Sequence, residues 1–161
     1  MNYQLLKAST DEHFEAIKAL LQAYQNELKR NLSFQQFDEE LNDLRKIYVH
    51  DKAAIFVLLD EEKQTYAACV GLKEIQAGIC EMKRLFVAPA FRQKGYGQVL
   101  TKHIIEEGRQ MGFQSMVLDT LEELKPAIRL YKKLGFKEIE AYNDNPFEDV
   151  IFMRLDYSPS T

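Results

Sequence analysis

The chain opens with alternation: Tyr3, Leu5 and Lys7 stand against Gln4 and Leu6, which predicts a short strand over residues 2–7. Behind it the period lengthens. Phe14, Ile17, Leu20, Leu21, Tyr24 and Leu28 recur at three and four residues, the spacing of one helix face. Ser9 or Thr10 offers the N-cap, and Ser9 with Glu12 has capping-box spacing. A second helix is predicted from Ser33, carrying Phe34, Phe37, Leu41, Leu44, Ile47 and Tyr48. At Ala53 the pattern returns to strands: residues 53–59 and 65–72, joined by Asp60-Glu61-Glu62-Lys63, then a turn at Gln76-Ala77-Gly78 into residues 79–87. Connections this short predict an antiparallel meander. Residues 97–111 read as a helix with Val99, Leu100, Ile104 and Ile105 on its apolar side, stopped near Gly108 or Gly112. A short strand over 115–120 precedes a helix over 124–134, closed by Gly135 as a left-handed C-cap. Two last strands, 137–142 and 150–155, flank the turn formers Asn143-Asp144-Asn145-Pro146.

This order departs from a plain doubly wound array. The strand–helix–strand unit over 79–120 is expected to be parallel and right-handed, so the sheet as a whole is expected to be mixed. A length of 161 residues suits one domain, here expected over residues 1–157 with a frayed tail at 158–161. With 46% hydrophobic and 29% charged residues, the chain is too apolar for a disordered one. Lys and Arg total 21 against 25 Asp and Glu, a net charge of −4, which lacks the footprint of a general nucleic-acid binder. The longest apolar run, residues 53–59, falls far short of the roughly 20 residues of a membrane span. The start Met1-Asn2-Tyr3-Gln4 shows no charged-then-apolar leader, so a soluble, cytoplasmic protein is expected.

The chemistry concentrates in Arg92-Gln93-Lys94-Gly95-Tyr96-Gly97, set directly between a strand and a helix. Two glycines at this spacing allow a tight turn with several backbone N–H groups pointing inward. The following helix adds its own unpaired N–H groups and the positive end of its dipole. Such a turn cradles phosphate, and Arg92 and Lys94 can add charge. It is not a P-loop, because no Lys-Ser or Lys-Thr pair follows Gly97. It is not a dinucleotide fingerprint, because Leu100 stands where a third glycine belongs.

At these residues the chain resembles the GCN5-related N-acetyltransferases, the GNAT family. Arg92, Gly95 and Gly97 match the family's [QR]-x-x-G-x-[GA] signature, and Glu81-Met82-Lys83-Arg84-Leu85-Phe86-Val87-Ala88-Pro89 is similar to its fourth strand. Ala127-Ile128-Arg129-Leu130-Tyr131-Lys132-Lys133-Leu134-Gly135-Phe136 matches its A-x-x-L-Y-x-x-x-G-F block. The resemblance covers nearly the whole chain. It implies an α/β (α+β) fold with a mixed, mostly antiparallel sheet of six or seven strands, about four flanking helices, and splayed fourth and fifth strands.

The resemblance also implies roles. The amides of Gln93, Lys94, Gly95, Tyr96 and Gly97, with Gln98 and Arg92, would hold the pyrophosphate of coenzyme A. Main-chain groups of Leu85 and Val87 would pair with the pantetheine arm lying in the gap, and an N–H near Phe86 or Val87 would polarise the thioester carbonyl. Glu81 falls at the general base of the histone-modifying branch, with Glu74 and Asp119 as weaker alternatives. Tyr131 falls at the general acid. Many relatives carry an Asn three residues before the Ala of the last block; Leu124 stands there instead. Tyr24, Phe34, Phe37, Tyr142, Asn143 and Asn145 would line the acceptor side. The expected activity is acetyl transfer from acetyl-CoA to a small amine, without metal, nucleic acid or membrane; a homodimer would be in keeping with the family. A protein lysine or N-terminal acetyltransferase and a non-catalytic acyl-CoA sensor are the alternatives.

The remaining signals are bland. His13, His50 and His103 are scattered without metal-ligand spacing. Cys69 and Cys80 read as small buried hydrophobes, and Asp38-Glu39-Glu40 as a solvated helix face. Of Lys83 and Arg84, one is expected at the acceptor cleft and the other in a salt bridge or at a cofactor phosphate.

Overall fold

The structure, a computed structural model, describes residues 2–28 and 37–158. Ser33 and Phe34 and most of the tail lie outside them. The chain runs β1 (Tyr3–Lys7), α1 (Asp11–Leu28), α2 (Phe37–Asn42), α3 (Leu44–Tyr48), β2 (Ala53–Asp60), β3 (Thr65–Gln76), β4 (Ile79–Val87), a 3-10 turn (Pro89–Phe91), α4 (Tyr96–Gln110), β5 (Ser115–Leu121), α5 (Lys125–Lys133), β6 (Lys137–Ile139) and β7 (Val150–Asp156). One seven-stranded sheet has the order β1-β2-β3-β4-β5-β7-β6. All its neighbours are antiparallel except β4 and β5, which α4 connects in parallel.

Alternation along β2 divides the core between the two faces. Ala54, Phe56 and Leu58 join Leu100 and Ile104 of α4. Ala53, Ile55 and Val57 join Ile17 and Leu21 of α1, Phe37 of α2 and Tyr48 of α3. Cys80 lies in the first cluster and Cys69 in the second; burial pushes both thiols up to about 12, so each is a packing group. No described helix is long and apolar enough to cross a membrane.

Two departures from regularity in β4 place the site. Its pairing with β5 stops after Ile79↔Ser115, Cys80↔Met116 and Glu81↔Val117. Beyond that point the two strands part. The register with β3 also slips, from Gly71↔Lys83 to Cys69↔Phe86, so that Arg84 and Leu85 together oppose Val70. This is a bulge, and Arg84 sits in it at φ +61°. The bulge swaps faces: Cys80 and Met82 pack on the α4 side, Phe86 on the α1 side.

A left-handed non-glycine residue costs about 1–2 kcal/mol. Its side chain holds it there. Arg84 Nε donates to Glu40 Oε2 at 2.7 Å and Nη2 to Oε1 at 3.2 Å, while the guanidinium lies 4.8 Å from the centre of the Phe37 ring. Tyr48 donates its hydroxyl to the same Glu40 Oε2 at 3.4 Å. Glu40 is therefore not part of a solvated face, as the charge run suggested: it is buried and bound to β4. Burial alone would raise its carboxyl, but the hydrogen bond and charge of Arg84 win and hold it below the usual range.

The expected second helix breaks in two. Asp43 donates its N–H to the Glu40 carbonyl and takes a φ of −127°, and its own carbonyl starts α3 by accepting from Ile47. At α1 the cap is Thr10, whose Oγ1 accepts from the His13 N–H at 3.1 Å; His13 Nδ1 in turn accepts from the Ser9 N–H at 3.1 Å. Glu12, the expected partner of Ser9, instead accepts from the Tyr66 hydroxyl at 2.5 Å. Helix α4 runs through Gly108, where a Cβ would lie 2.5 Å from the Tyr157 hydroxyl, and stops at Gly112 with φ +89°. Strand β3 extends to Gln76, and β6 ends at Ile139, three residues short of Tyr142.

Glu40→Ala removes the carboxylate that the buried Arg84 guanidinium binds and should cost about 3–5 kcal/mol by denaturant unfolding. Because the folded carboxyl is depressed, the wild-type contribution is present above the unfolded value of about 4.3 and lost as pH falls through the folded value. The difference between variant and wild type should shrink accordingly in acid; a pH-independent difference would contradict the pairing.

Candidate active site

The parting of β4 and β5 leaves a cavity of about 400 Å³ that passes between the faces of the sheet. Its walls are Glu81–Leu85 of β4, Leu118–Leu121 of β5, Tyr24 and Leu28 of α1, Tyr131 of α5, and the loop from Asn143 to Phe147. Beyond Glu81 the edge of β4 toward β5 has no strand partner among the described residues, so its main-chain groups there are open to a ligand.

At the end of β4 the turn into α4 has the form expected of an anion cradle. Gln93 and Gly95 take φ of +67° and +82°, and Gly95 is the N-cap of α4. Among the described residues, no main-chain N–H from Gln93 to Gln98 donates inside the protein; the first to do so is Val99, to the Gly95 carbonyl at 3.1 Å. Consecutive free amides at a helix N-terminus suit a phosphate-bearing ligand. The side chains here do something else. Arg92 Nε donates to the Val87 carbonyl at 3.0 Å, and Nη2 reaches both Glu27 oxygens at 2.8 and 2.9 Å, tying α1 to β4. Lys94 Nζ lies 3.5 Å from Asp60 Oδ2, which also accepts from the buried Tyr96 hydroxyl at 2.5 Å. Those bonds, Tyr96 first, keep the Asp60 carboxyl below its usual range. Side chains stake the turn down and leave its amides outward. Glu27 and Asp60 carried no motif or spacing that could have marked them.

Tyr131 is placed by the way α5 ends. Gly135, at φ +110°, donates to the Lys132 carbonyl, and Phe136 donates to the Tyr131 carbonyl at 3.0 Å. This is the Schellman arrangement, with its apolar contact made by the Tyr131 and Phe136 rings at 5.8 Å. The ring is buried, and it forms part of the cavity wall. Burial, then the neighbouring Tyr24, pushes this phenol well above its ordinary value, so it keeps its proton at neutral pH.

Across the cavity stands a group of polar side chains. Glu81 Oε2 accepts from the Tyr142 hydroxyl at 2.6 Å, and Oε1 lies 3.8 Å from Lys83 Nζ. This hydroxyl, with the Tyr142 ring 5.1 Å from that of Phe152, draws the chain out of β6 early. Burial first, then the Glu81 charge, holds the Tyr142 phenol far above its usual range. Asp119 accepts a long bond of 3.4 Å from Asn143 Nδ2. Burial and the Glu81 charge hold its carboxyl above the usual range, against the pull of Asn143, Lys83 and Arg84. Asn145 turns inward on its own loop, its Oδ1 accepting from Phe147 N at 3.0 Å. Tyr24 packs edge-on against Phe86 at 5.7 Å, and Leu124 lies exposed at the rim. Glu74 does not line the cavity. Among the described residues no cluster of His, Cys, Asp and Glu could hold a metal.

A carboxyl whose folded pKa is raised supports the fold below its unfolded value, about 3.9, and loses that contribution as pH rises through the folded value. Asp119→Asn removes a charge that this site disfavours. Its Tm should exceed that of wild type at pH 7, and the gain should vanish toward pH 3. An equal difference at both pH values, measured by calorimetry, would contradict this environment.

The protein-family model described as the acetyltransferase (GNAT) family matches residues 15–136. An uncharacterised N-acetyltransferase of Schizosaccharomyces pombe is 39% identical over 158 residues, covering 98% of this chain and 96% of that protein. One from Dictyostelium discoideum is 28% identical over 206 positions, covering 89% and 94%. Among solved structures, an acetyltransferase from Streptococcus agalactiae superposes with a TM-score of 0.79 at 20% identity, over 96% of this chain and 98% of that one. A GNAT-family acetyltransferase from Staphylococcus aureus gives 0.78 at 16%, over 96% and 99%. Those two likenesses speak for the fold, and the family match spans most of the sheet, the turn and α5. The chain belongs to the acetyltransferase (GNAT) family.

Proposed function

We propose that this protein transfers an acetyl group from acetyl-CoA directly to the primary amine of a small molecule. The observation that carries the reading is the cavity that brings the open edge of β4, the Tyr131 phenol and the side chains of Glu81 and Asp119 together, on the strand that leads into the free-amide turn.

The residues fit the co-substrate. Main-chain N–H groups of Gln93, Lys94, Gly95, Tyr96, Gly97 and Gln98 would hold its diphosphate, Arg92 keeping the turn in place. Leu85, Phe86 and Val87 would offer the strand edge for its amides, although the Val87 carbonyl already accepts from Arg92. Bound there, acetyl-CoA supplies an activated thioester acetyl. An N–H of the bulged segment polarises the carbonyl it faces. Tyr131 holds the proton that a departing thiolate needs. An alkylammonium has no lone pair and titrates near pKa 10, so a carboxylate must receive its proton. Glu81 and Asp119 both line the cavity within reach of such a nitrogen, and burial holds the Asp119 carboxyl above its usual range. Tyr24, Tyr142, Asn143 and Asn145 shape the acceptor end. Phe34, expected there too, lies outside the described residues. The cavity volume supports a small acceptor, because the loop from Asn143 to Phe147 and α1 close over it.

The test is release of free coenzyme A thiol across an amine panel, with labelled acetyl followed into small molecules and into protein. Label in small molecules supports the reading; label in protein alone, or saturable cofactor binding without thiol release, overturns it. Tyr131→Phe should lower kcat by roughly 10²-fold with coenzyme A affinity unchanged. Wild-type turnover, with chemistry shown to be rate-limiting, would remove the phenol from the mechanism.

A further inference from the structure

We propose that the acceptor amine carries a carboxylate a few bonds from its nitrogen, and that Lys83 is the residue that recognises it. The inference rests on the reading above and adds the substrate class.

Lys83 stands on β4 immediately before the bulge and lines the cavity, its side chain 16% exposed. The only described carboxylate within 4 Å of its ammonium is Glu81, at 3.8 Å. That is too long for a hydrogen bond, which for N–H···O lies at about 2.7–3.2 Å. Glu81 is already turned to Tyr142 through its other oxygen. Among the described residues the ammonium thus has three donors and no acceptor at hydrogen-bond distance, a costly state for a largely buried charge. Burial, with Arg84 next, pulls its pKa down.

The neighbouring charges give the sign of what is missing. Arg84 is matched by Glu40 and does not compete. Lys73 stands opposite Glu81 across the β3–β4 ladder. Of the two cations that line the cavity, Arg84 has described carboxylate oxygens at hydrogen-bond distance and Lys83 has none. Asp119 stands on β5 across the cavity, its carboxyl bonded to Asn143 rather than to Lys83. Asp144, at the mouth, is exposed and screened by water. One planar anion completes the wall.

Glu81 and Lys83 are two residues apart on one strand, so their side chains leave the same face roughly 6–7 Å apart. An amine placed for Glu81 and Asp119 sets a carboxylate of the same small molecule within reach of Lys83. An α- or β-amino acid has that shape. A protein lysine has no carboxylate there, nor does a peptide N-terminus, so the same residue favours free amino acids over polypeptides.

The experiment compares free amino acids with their methyl esters and decarboxylated amines, using wild type, Lys83→Gln and Lys83→Arg, with acetyl-CoA binding measured by calorimetry on each. Wild type should prefer the free acid by at least about tenfold in kcat/KM. Lys83→Gln should bring the acid-to-ester ratio toward one, mainly through KM for the acid, and Lys83→Arg should restore it. Equal use of acid and ester by wild type, or an unchanged ratio in Lys83→Gln, overturns the inference while leaving acetyl transfer standing. Absence of acetyl-CoA binding, or of thiol release with every amine, overturns the reading beneath it as well.

Discussion

The buried pair of Glu40 and Arg84 fixes the point from which the site is built. Arg84 occupies a backbone conformation that its own chirality disfavours, in the middle of the β3–β4 ladder. The stacking on Phe37 and the two bonds to Glu40 compensate for that cost. The consequence reaches further than one residue. A bulge bends its strand and sharpens its twist. With the pairing to β5 ending at Glu81, the bent half of β4 has β3 on one side and open space on the other. A sheet that would otherwise close over its middle stays open there, and the cavity is that opening.

Backbone and side chains divide the work. At the turn, Arg92, Lys94 and Tyr96 bind other parts of the protein, and six main-chain amides have no partner among the described residues. Amides in a fixed turn lose no side-chain entropy on binding, which is why they make good phosphate holders. On the acceptor side the relation reverses: side chains with displaced pKa values face the cavity, and burial is the first cause of each displacement. The pocket that raises Asp119 and lowers Lys83 works against the stability of the fold, as is common where chemistry has to be done.

Much of this was legible in the sequence. Alternation and helical spacing gave the order of elements, and Gly95, Gly135 and Gly112 marked positions where positive φ was needed. The A-x-x-L-Y-x-x-x-G-F block led to Tyr131 because a Schellman ending is a local device, written within six residues. Glu40 was not legible. Its neighbours Asp38 and Glu39 are exposed, and only the distant Arg84, 44 residues on, distinguishes it. The early end of β6 has the same origin, because the partner of Tyr142 is Glu81, 61 residues back. Long-range polar pairing leaves no period in a sequence.

The most direct measurement is amide hydrogen exchange by NMR with and without coenzyme A. The account predicts slowed exchange at Gln93–Gln98 and along the open edge of β4 at Leu85–Val87, with no change at the outer edge of the sheet in Tyr3–Lys7. Saturating ligand that leaves both segments exchanging as before would contradict it.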